Sequence, residues 1–394
     1  MTNQEVFDLA HKYIMNTYKR FPIALKNGEG AYLYDYDGNE YLDFLAGISV
    51  NALGYNHPVI KETIHKLGDG LFHTSNLFYT KNQAQLAKLL IENSDLDKVF
   101  FCNSGAEANE SAIKLARKWG KGRYEIIVMY NSFHGRTMGA LSATGQTKYQ
   151  KGFEPVLPGF KFVNYNNFEE LEKAITDLTV AIMLEPLQAE GGIIIPSKDY
   201  IKNIEKLCKE KNLLLILDEV QTGICRTGKL FAYQHYDIEP DIITLAKALG
   251  GGLPIGAMLA KSNIASAFEP GNHASTFGGG EFVTGVALAS LNYLIEEKIF
   301  LHAEKMGEYF LSELKKLAAK YKTKVKEARG LGLLCGLELE DKISLSDFGN
   351  SLLKRGLLTA AAGTNVVRFA PPLIIQEEHI NKAISIIDNV LTTI

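Results

Sequence analysis

Two residues in the stretch Leu213–Gly252 are of types, and at a spacing, that could do chemistry. Asp218 ends an unbroken apolar run, Leu213 to Leu217, and Lys247 follows 29 positions later among apolar residues, just ahead of Gly250–Gly252. Such a run is the signature of a strand buried on both faces of a parallel sheet, where ligands bind beyond the carboxyl ends of the strands. Asp218 is therefore expected beside a ligand. Lys247 has no charged neighbour in sequence, and the glycines allow a close backbone approach. A desolvated lysine favours its neutral amine, which condenses with an aldehyde.

The elements that must position this pair read as an alternation of strand, loop and helix. Val99–Cys102, Glu125–Met129 and Val180–Leu184 are short buried strands, and residues 168–177 and 200–211 are helical. This order predicts an open, mainly parallel α/β sheet. After the first of these strands, Asn103-Ser104-Gly105-Ala106 leads directly into a helix. A helix N-terminus offers free backbone N–H groups and a positive dipole end, where a phosphate can sit, although Ser-Gly is also an ordinary N-cap. Phe133, His134 and Arg136 lie in the loop after the second strand, and the third ends at Glu185-Pro186.

Nearer the chain ends, residues 1–20 have amphipathic helical spacing, and residues 31–44 alternate around Asp37-Gly38 as a hairpin does. Gly47–Pro58 and the glycine-rich His273–Phe282 read as loops; 283–320 reads as helical, 353–375 as strand, and Ile380–Leu391 as a closing helix. The second layer is expected to be discontinuous: 1–57 an N-terminal arm and part of a small domain, 58–290 a large domain, 291–394 the rest of the small one.

Composition narrows the function. The chain has 394 residues, 46% of them hydrophobic and 22% charged, with a formal net charge of −3. That balance gives no electrostatic reason for a nucleic acid or an anionic membrane as partner. Cys102, Cys208, Cys225 and Cys335 are too dispersed for a zinc site or a disulfide framework, so no metal and a cytoplasmic setting are expected. No segment has the length of a membrane span or signal peptide.

One cofactor uses all of these groups. Pyridoxal phosphate is an aldehyde for Lys247; it needs a carboxylate on its pyridine nitrogen, which Asp218 can supply, an anion cup at Ser104–Ala106, and an aromatic face, Phe133. Each signal is weak alone. Four loops of one sheet converging on one molecule are not.

The motifs NSGAEANE, SFHGRT, LDEVQTG, RTGK, KALGGGLPIGA and STFGG together resemble those of the class III, ornithine-type pyridoxal phosphate aminotransferases of fold type I, over nearly the whole chain. The resemblance implies that Lys247 holds the coenzyme's aldehyde and moves the proton, Asp218 pairs with the ring nitrogen, and Gln221 with the ring hydroxyl. Gly105 and Ala106 would hold the phosphate, with Glu219 and Val220 also against the coenzyme. Thr276 would reach the phosphate of a partner subunit, which implies a homodimer. Arg136 and Arg368 would bind substrate carboxylates, Glu190 would pair with Arg368 when a basic substrate is present and withdraw for glutamate, and Ser275 would lie beside the substrate.

The expected reaction moves the δ-amine of N2-acetyl-L-ornithine to 2-oxoglutarate, giving glutamate, within arginine biosynthesis. Ornithine aminotransferases carry a tyrosine where this chain has Ile48, which favours the acylated substrate; succinylornithine, acetyllysine or succinyldiaminopimelate use similar contacts. An aminomutase or decarboxylase on the scaffold would not need Arg136, Glu190 and Arg368 together. Three departures stand out: Ala189 in QAEGG, Cys225 in GICRTG and Gly280-Glu281-Phe282 after STFGG, where the family usually has Gly, Gly and a sequence containing Asn-Pro.

Overall fold

The computed structural model describes all 394 residues. Behind an N-terminal helix, Asn3–Tyr13, strands β1 (Leu25–Glu29), β2 (Tyr32–Asp35) and β3 (Glu40–Asp43) form an antiparallel ribbon. The turn between β2 and β3 is fixed by Asp35, whose carboxylate accepts from the amides of Asp37 and Asn39 at 3.0 and 2.8 Å.

The central sheet contains β4 (Lys98–Cys102), β5 (Glu125–Met129), β6 (Phe160–Val163), β7 (Thr179–Leu184), β8 (Leu214–Asp218), β9 (Ile242–Leu245) and β10 (Gly256–Ala260), in the order β4-β10-β9-β8-β7-β5-β6. Every residue of β7, β8 and β9 is buried. Full burial of one Leu, Ile or Val side chain contributes about 1.5–3 kcal/mol, so the apolar runs are the sheet's main stabilisation and leave their first polar groups at the strand ends. The pairs β5–β6, β5–β7, β7–β8 and β8–β9 are parallel, as expected, while β10 runs antiparallel to both neighbours, β4 and β9. The mainly parallel α/β expectation holds with that one reversal. The short turn Lys247–Gly250, followed by left-handed Gly251, sends the chain straight back through the sheet without a crossover helix.

The C-terminal third contains β11 (Val325–Leu331), β12 (Leu334–Leu339), β13 (Leu357–Leu358), β14 (Ala360–Ala362) and β15 (Val366–Phe369). β11-β12-β15-β14 form an antiparallel sheet, and β13 leaves it to pair in parallel with β3. The two chain ends are thus joined through one sheet. Residues 353–375 are not one strand: Leu353–Lys354 close a helix, Gly356 at φ 80° leads into β13, β13 and β14 part at Thr359 where the chain changes sheets, and Gly363 at φ 56° lies between β14 and β15. The helical pattern over 283–320 divides into Glu281–Glu296 and Ile299–Lys320 at left-handed Lys298. A further helix, Pro58–Leu67, begins where the loop was expected to end. No helix is long and apolar enough to cross a membrane.

Candidate active site

The carboxyl ends of β5, β7, β8 and β9 face the N-terminus of helix Gly105–Trp119 across a cavity of about 490 Å³. Asp218 stands at its floor, 3% exposed. Its Oδ2 accepts from Asn109 Nδ2 and from His134 Nδ1, both at 2.7 Å, and its Oδ1 accepts from the Val220 amide at 3.0 Å. Thr244 Oγ1 in turn donates to Asn109 Oδ1 at 2.7 Å, which fixes the amide so that its NH2 faces the carboxylate. The carboxylate gathers three donors, and its remaining lone pair suits a cationic N–H in the cavity.

Lys247 occupies the cavity wall in a left-handed conformation, φ 46°, on the turn that ends β9. Burial, and then the nearby Arg368, push its ammonium down to about 8, against the opposing pull of Glu190, Asp218 and Glu185. Its neutral amine is therefore accessible near neutrality, as an aldehyde-binding lysine requires. Glu185, at the end of β7, also lines the cavity. Burial, with a further push from Asp218, raises its carboxyl to about 7 against the pull of His134 and the amides it accepts from. Those amides belong to Phe133 at 3.0 Å and Ala189 at 3.3 Å, so Glu185 ties the aromatic loop to the segment preceding Glu190.

The helix start expected to hold an anion opens on the cavity. Ser104 caps the helix, its Oγ accepting from the Glu107 amide at 3.2 Å, while the amides of Gly105 and Ala106 are left without intrahelical acceptors at the cavity edge. Glycine is needed at 105 because a Cβ there would lie 2.6 Å from Val220 Cγ1. That contact is how Val220 brings the cup close to the Asp218 turn. Phe133 lines the cavity beside Arg136.

A charged group adjoins the lysine. Arg368, 3% exposed on β15, donates through Nη1 to the Glu190 carboxylate and to Gln221 Oε1, the latter at 3.1 Å. Burial pushes the Glu190 carboxyl up, but Arg368 and Lys247 outweigh it and hold the group below its ordinary value. Ile48, 43% exposed, lies on a left-handed turn, φ 65°, two residues before cavity-lining Val50.

Three of the expected residues lie elsewhere. Glu219 turns away from the cavity, its carboxylate accepting from the amides of Ala232 and Tyr233 at 2.6 and 2.8 Å. Ser275 Oγ accepts from Asn103 Nδ2 at 3.1 Å and from the Gly278 amide at 3.0 Å, a bracing of its own loop. Thr276, exposed on that loop, is outside the cavity that holds Lys247. Of the departures, Ala189 is buried in a small apolar cluster with Leu187, Ile193 and Val366, and Glu281 accepts from the Asn82 amide at 2.9 Å. Cys225 is buried at φ 68°.

Asn109, Thr244 and Glu185 were not among the expected site residues. Signals existed: Asn109 is a poor helix former within a helical run, and Glu185 ends an apolar strand just as Asp218 does.

The residues present fit pyridoxal phosphate. An anion cup, a buried carboxylate with a lone pair to spare and an amine kept near neutrality surround one cavity of coenzyme size.

Relatives agree with this chemistry. The family model for aminotransferase class-III matches residues 13–391. The chain belongs to the class III aminotransferases. It is 50% identical over its full length, and that of the relative, to an acetylornithine aminotransferase of Methanocaldococcus jannaschii. It is 52% identical to one of Caldanaerobacter subterraneus, covering 97% of this chain and 98% of the relative. Among solved structures it is similar to an ornithine aminotransferase from Toxoplasma gondii, with a TM-score of 0.96 and 35% identity over 100% of this chain and 96% of that one. It is also similar to an acetylornithine aminotransferase from Elizabethkingia anophelis, with a TM-score of 0.89 and 35% identity over 100% of both chains.

Proposed function

We propose that this chain transfers the δ-amino group of N2-acetyl-L-ornithine to 2-oxoglutarate, forming N-acetyl-L-glutamate 5-semialdehyde and L-glutamate, a reaction of arginine biosynthesis. The observation that carries it is the buried Glu190–Arg368 pair beside Lys247. When bound, pyridoxal phosphate supplies an aldehyde for the amine and an electron-accepting ring.

The chain's own groups do the rest. Gly105 and Ala106 offer amides to a phosphate, Phe133 a ring face, and Gln221 a polar partner for the ring hydroxyl. Asp218 would pair with the ring nitrogen, and Asn109 and His134 hold its carboxylate in place for that. Lys247 Nζ would take the proton from the substrate carbon that bears the amine and deliver it across the nitrogen, two atoms away, on the coenzyme side. Arg136 binds a carboxylate of either substrate with its planar fork. While Glu190 covers Arg368, the site presents a neutral pair to the uncharged chain of acetylornithine; when Glu190 moves off, Arg368 receives the second carboxylate of glutamate or 2-oxoglutarate.

The active form is proposed to be a homodimer, with Thr276 reaching the partner's phosphate. Exposed Leu77, Tyr79 and Phe277, at 87%, 105% and 65%, near the Thr276 loop support it. The division into 1–57, 58–290 and 291–394 belongs to the same reading, supported by the β3–β13 pairing. A cytoplasmic setting suits four free, buried cysteines.

The test is a panel of acetylornithine, ornithine, succinylornithine, acetyllysine and 4-aminobutyrate with 2-oxoglutarate, compared by kcat/KM. Acetylornithine is expected to lead, and a lead for unacylated ornithine would overturn the substrate assignment.

A further inference from the structure

Arg136 forms no ion pair and no side-chain hydrogen bond within the chain, in contrast to Arg368. Its guanidinium carbon instead lies 3.9 Å from the centroid of the Tyr149 ring and 5.6 Å from that of Phe133. The two rings meet edge to face, 5.8 Å apart at 84°, so Tyr149 carries Arg136 on its face and braces Phe133 at its edge. Lys148 Nζ is also 4.8 Å from the Tyr149 ring. The Tyr149 hydroxyl makes no hydrogen bond within the chain.

We infer that Tyr149 is a positioning residue, whose ring face holds the Arg136 guanidinium in place for a substrate carboxylate without neutralising it. A carboxylate partner would orient Arg136 equally well but would compete with the substrate for both prongs of the fork. An aromatic face attracts the cation through its quadrupole and leaves every N–H free. The platform is rigid. Tyr149 lies on the short helix Thr147–Gln150, and Gln150 Nε2 donates to the carbonyls of Leu141 and Thr144 at 3.1 and 3.0 Å. Gln146 Nε2 reaches the Ser132 carbonyl at 3.1 Å, in the loop that carries Phe133 and Arg136. The two arginines are thereby held differently: Arg368 by a removable charge, Arg136 by a neutral surface that stays available through both half-reactions.

The inference rests on the proposed transamination, so wild-type turnover of acetylornithine with 2-oxoglutarate is measured first. Its absence would overturn that reading rather than this one. Tyr149→Phe keeps the ring and should hold both KM values within about twofold. Tyr149→Leu keeps apolar bulk without a π face and should raise KM for acetylornithine and for 2-oxoglutarate together by about three- to tenfold, with kcat changed less than twofold. Pentafluorophenylalanine at position 149 preserves the shape and inverts the ring's charge distribution. It should match Tyr149→Leu, which keeps the test decisive if the leucine variant folds poorly. Equal loss in the phenylalanine variant, unchanged KM values in the other two, or a fall in kcat alone would overturn the role.

Discussion

Arg368 and Glu190 form an ion pair withdrawn from solvent, the side chains 3% and 22% exposed, with Gln221 on the same guanidinium nitrogen. Removing one member of a buried pair is costly, about 3–5 kcal/mol, because the other charge is left alone. In Glu190→Gln the stranded cation has a remedy, the second carboxylate of glutamate. The ratio of kcat/KM for glutamate to that for acetylornithine, measured in separate half-reactions, should rise about tenfold or more, equal to at least about 1.4 kcal/mol. The variant should also gain more thermal stability than wild type from added glutarate. An unchanged ratio would mean that Glu190 does not gate Arg368.

Lys247 gives a pH dependence with a definite sign. With its ammonium held near 8 rather than the ordinary 10.5, chiefly by burial and then by Arg368, the reactive amine grows as pH rises toward 8 and levels beyond it. Covalent attachment of coenzyme to the apoprotein, followed by visible absorbance, should accelerate about tenfold from pH 6 to 7 and flatten above about 8. Loss of the Glu190 anion removes a charge that favours the ammonium, so the midpoint in Glu190→Gln should fall below that of wild type. A rate still climbing at pH 10 would contradict the burial argument. Lys247→Ala should leave no transamination.

The sites on which these predictions rest were unevenly legible. Asp218 and Lys247 announce themselves because an all-apolar strand has nowhere to put its first polar group except the sheet edge, and a lysine without charged neighbours has no ordinary surface reason to be there. The surroundings of Asp218 were hidden, because Asn109 and His134 are 109 and 84 positions from it and converge only through the sheet. Strand direction was hidden too: the buried run Gly256–Ala260 carries no mark of its antiparallel course. Glu219 faces away from the cavity for a local reason. Adjacent residues at a strand end point to opposite sides, so the carboxylate beside Asp218 turns to the Ala232 and Tyr233 amides instead of the cavity.

Cys225 tests a departure from the family pattern. It is buried at φ 68°, beside Ile224 at φ 52°, in a turn where the family resemblance leads to an expectation of glycine. A side chain in the left-handed region costs roughly 1–2 kcal/mol per residue, and alanine there suffers the same clash. Cys225→Gly should therefore unfold at a higher temperature than Cys225→Ala, with a difference of about 1 kcal/mol in stability. Equal stabilities would show that this turn carries no such strain.

The exposed apolar loop should govern assembly and, through it, coenzyme affinity. Leu77 and Tyr79 are 87% and 105% exposed, and the Asn76 amide nitrogen beside them donates to the Ser275 and Gly278 carbonyls at 3.1 and 2.8 Å. The loop bearing Thr276 is thus mechanically joined to the apolar surface. An exposed patch of this kind marks an interaction site, and the occupant proposed is a second copy of the chain. Leu77→Glu with Tyr79→Glu should shift the sedimentation coefficient from dimer to monomer, because charges buried without partners oppose association. Since the same surface would carry Thr276 to the other cavity, coenzyme affinity should fall over the same protein concentrations at which the dimer dissociates. A stable monomer that binds coenzyme as tightly as wild type would separate the two and leave Thr276 without a role in the cofactor site.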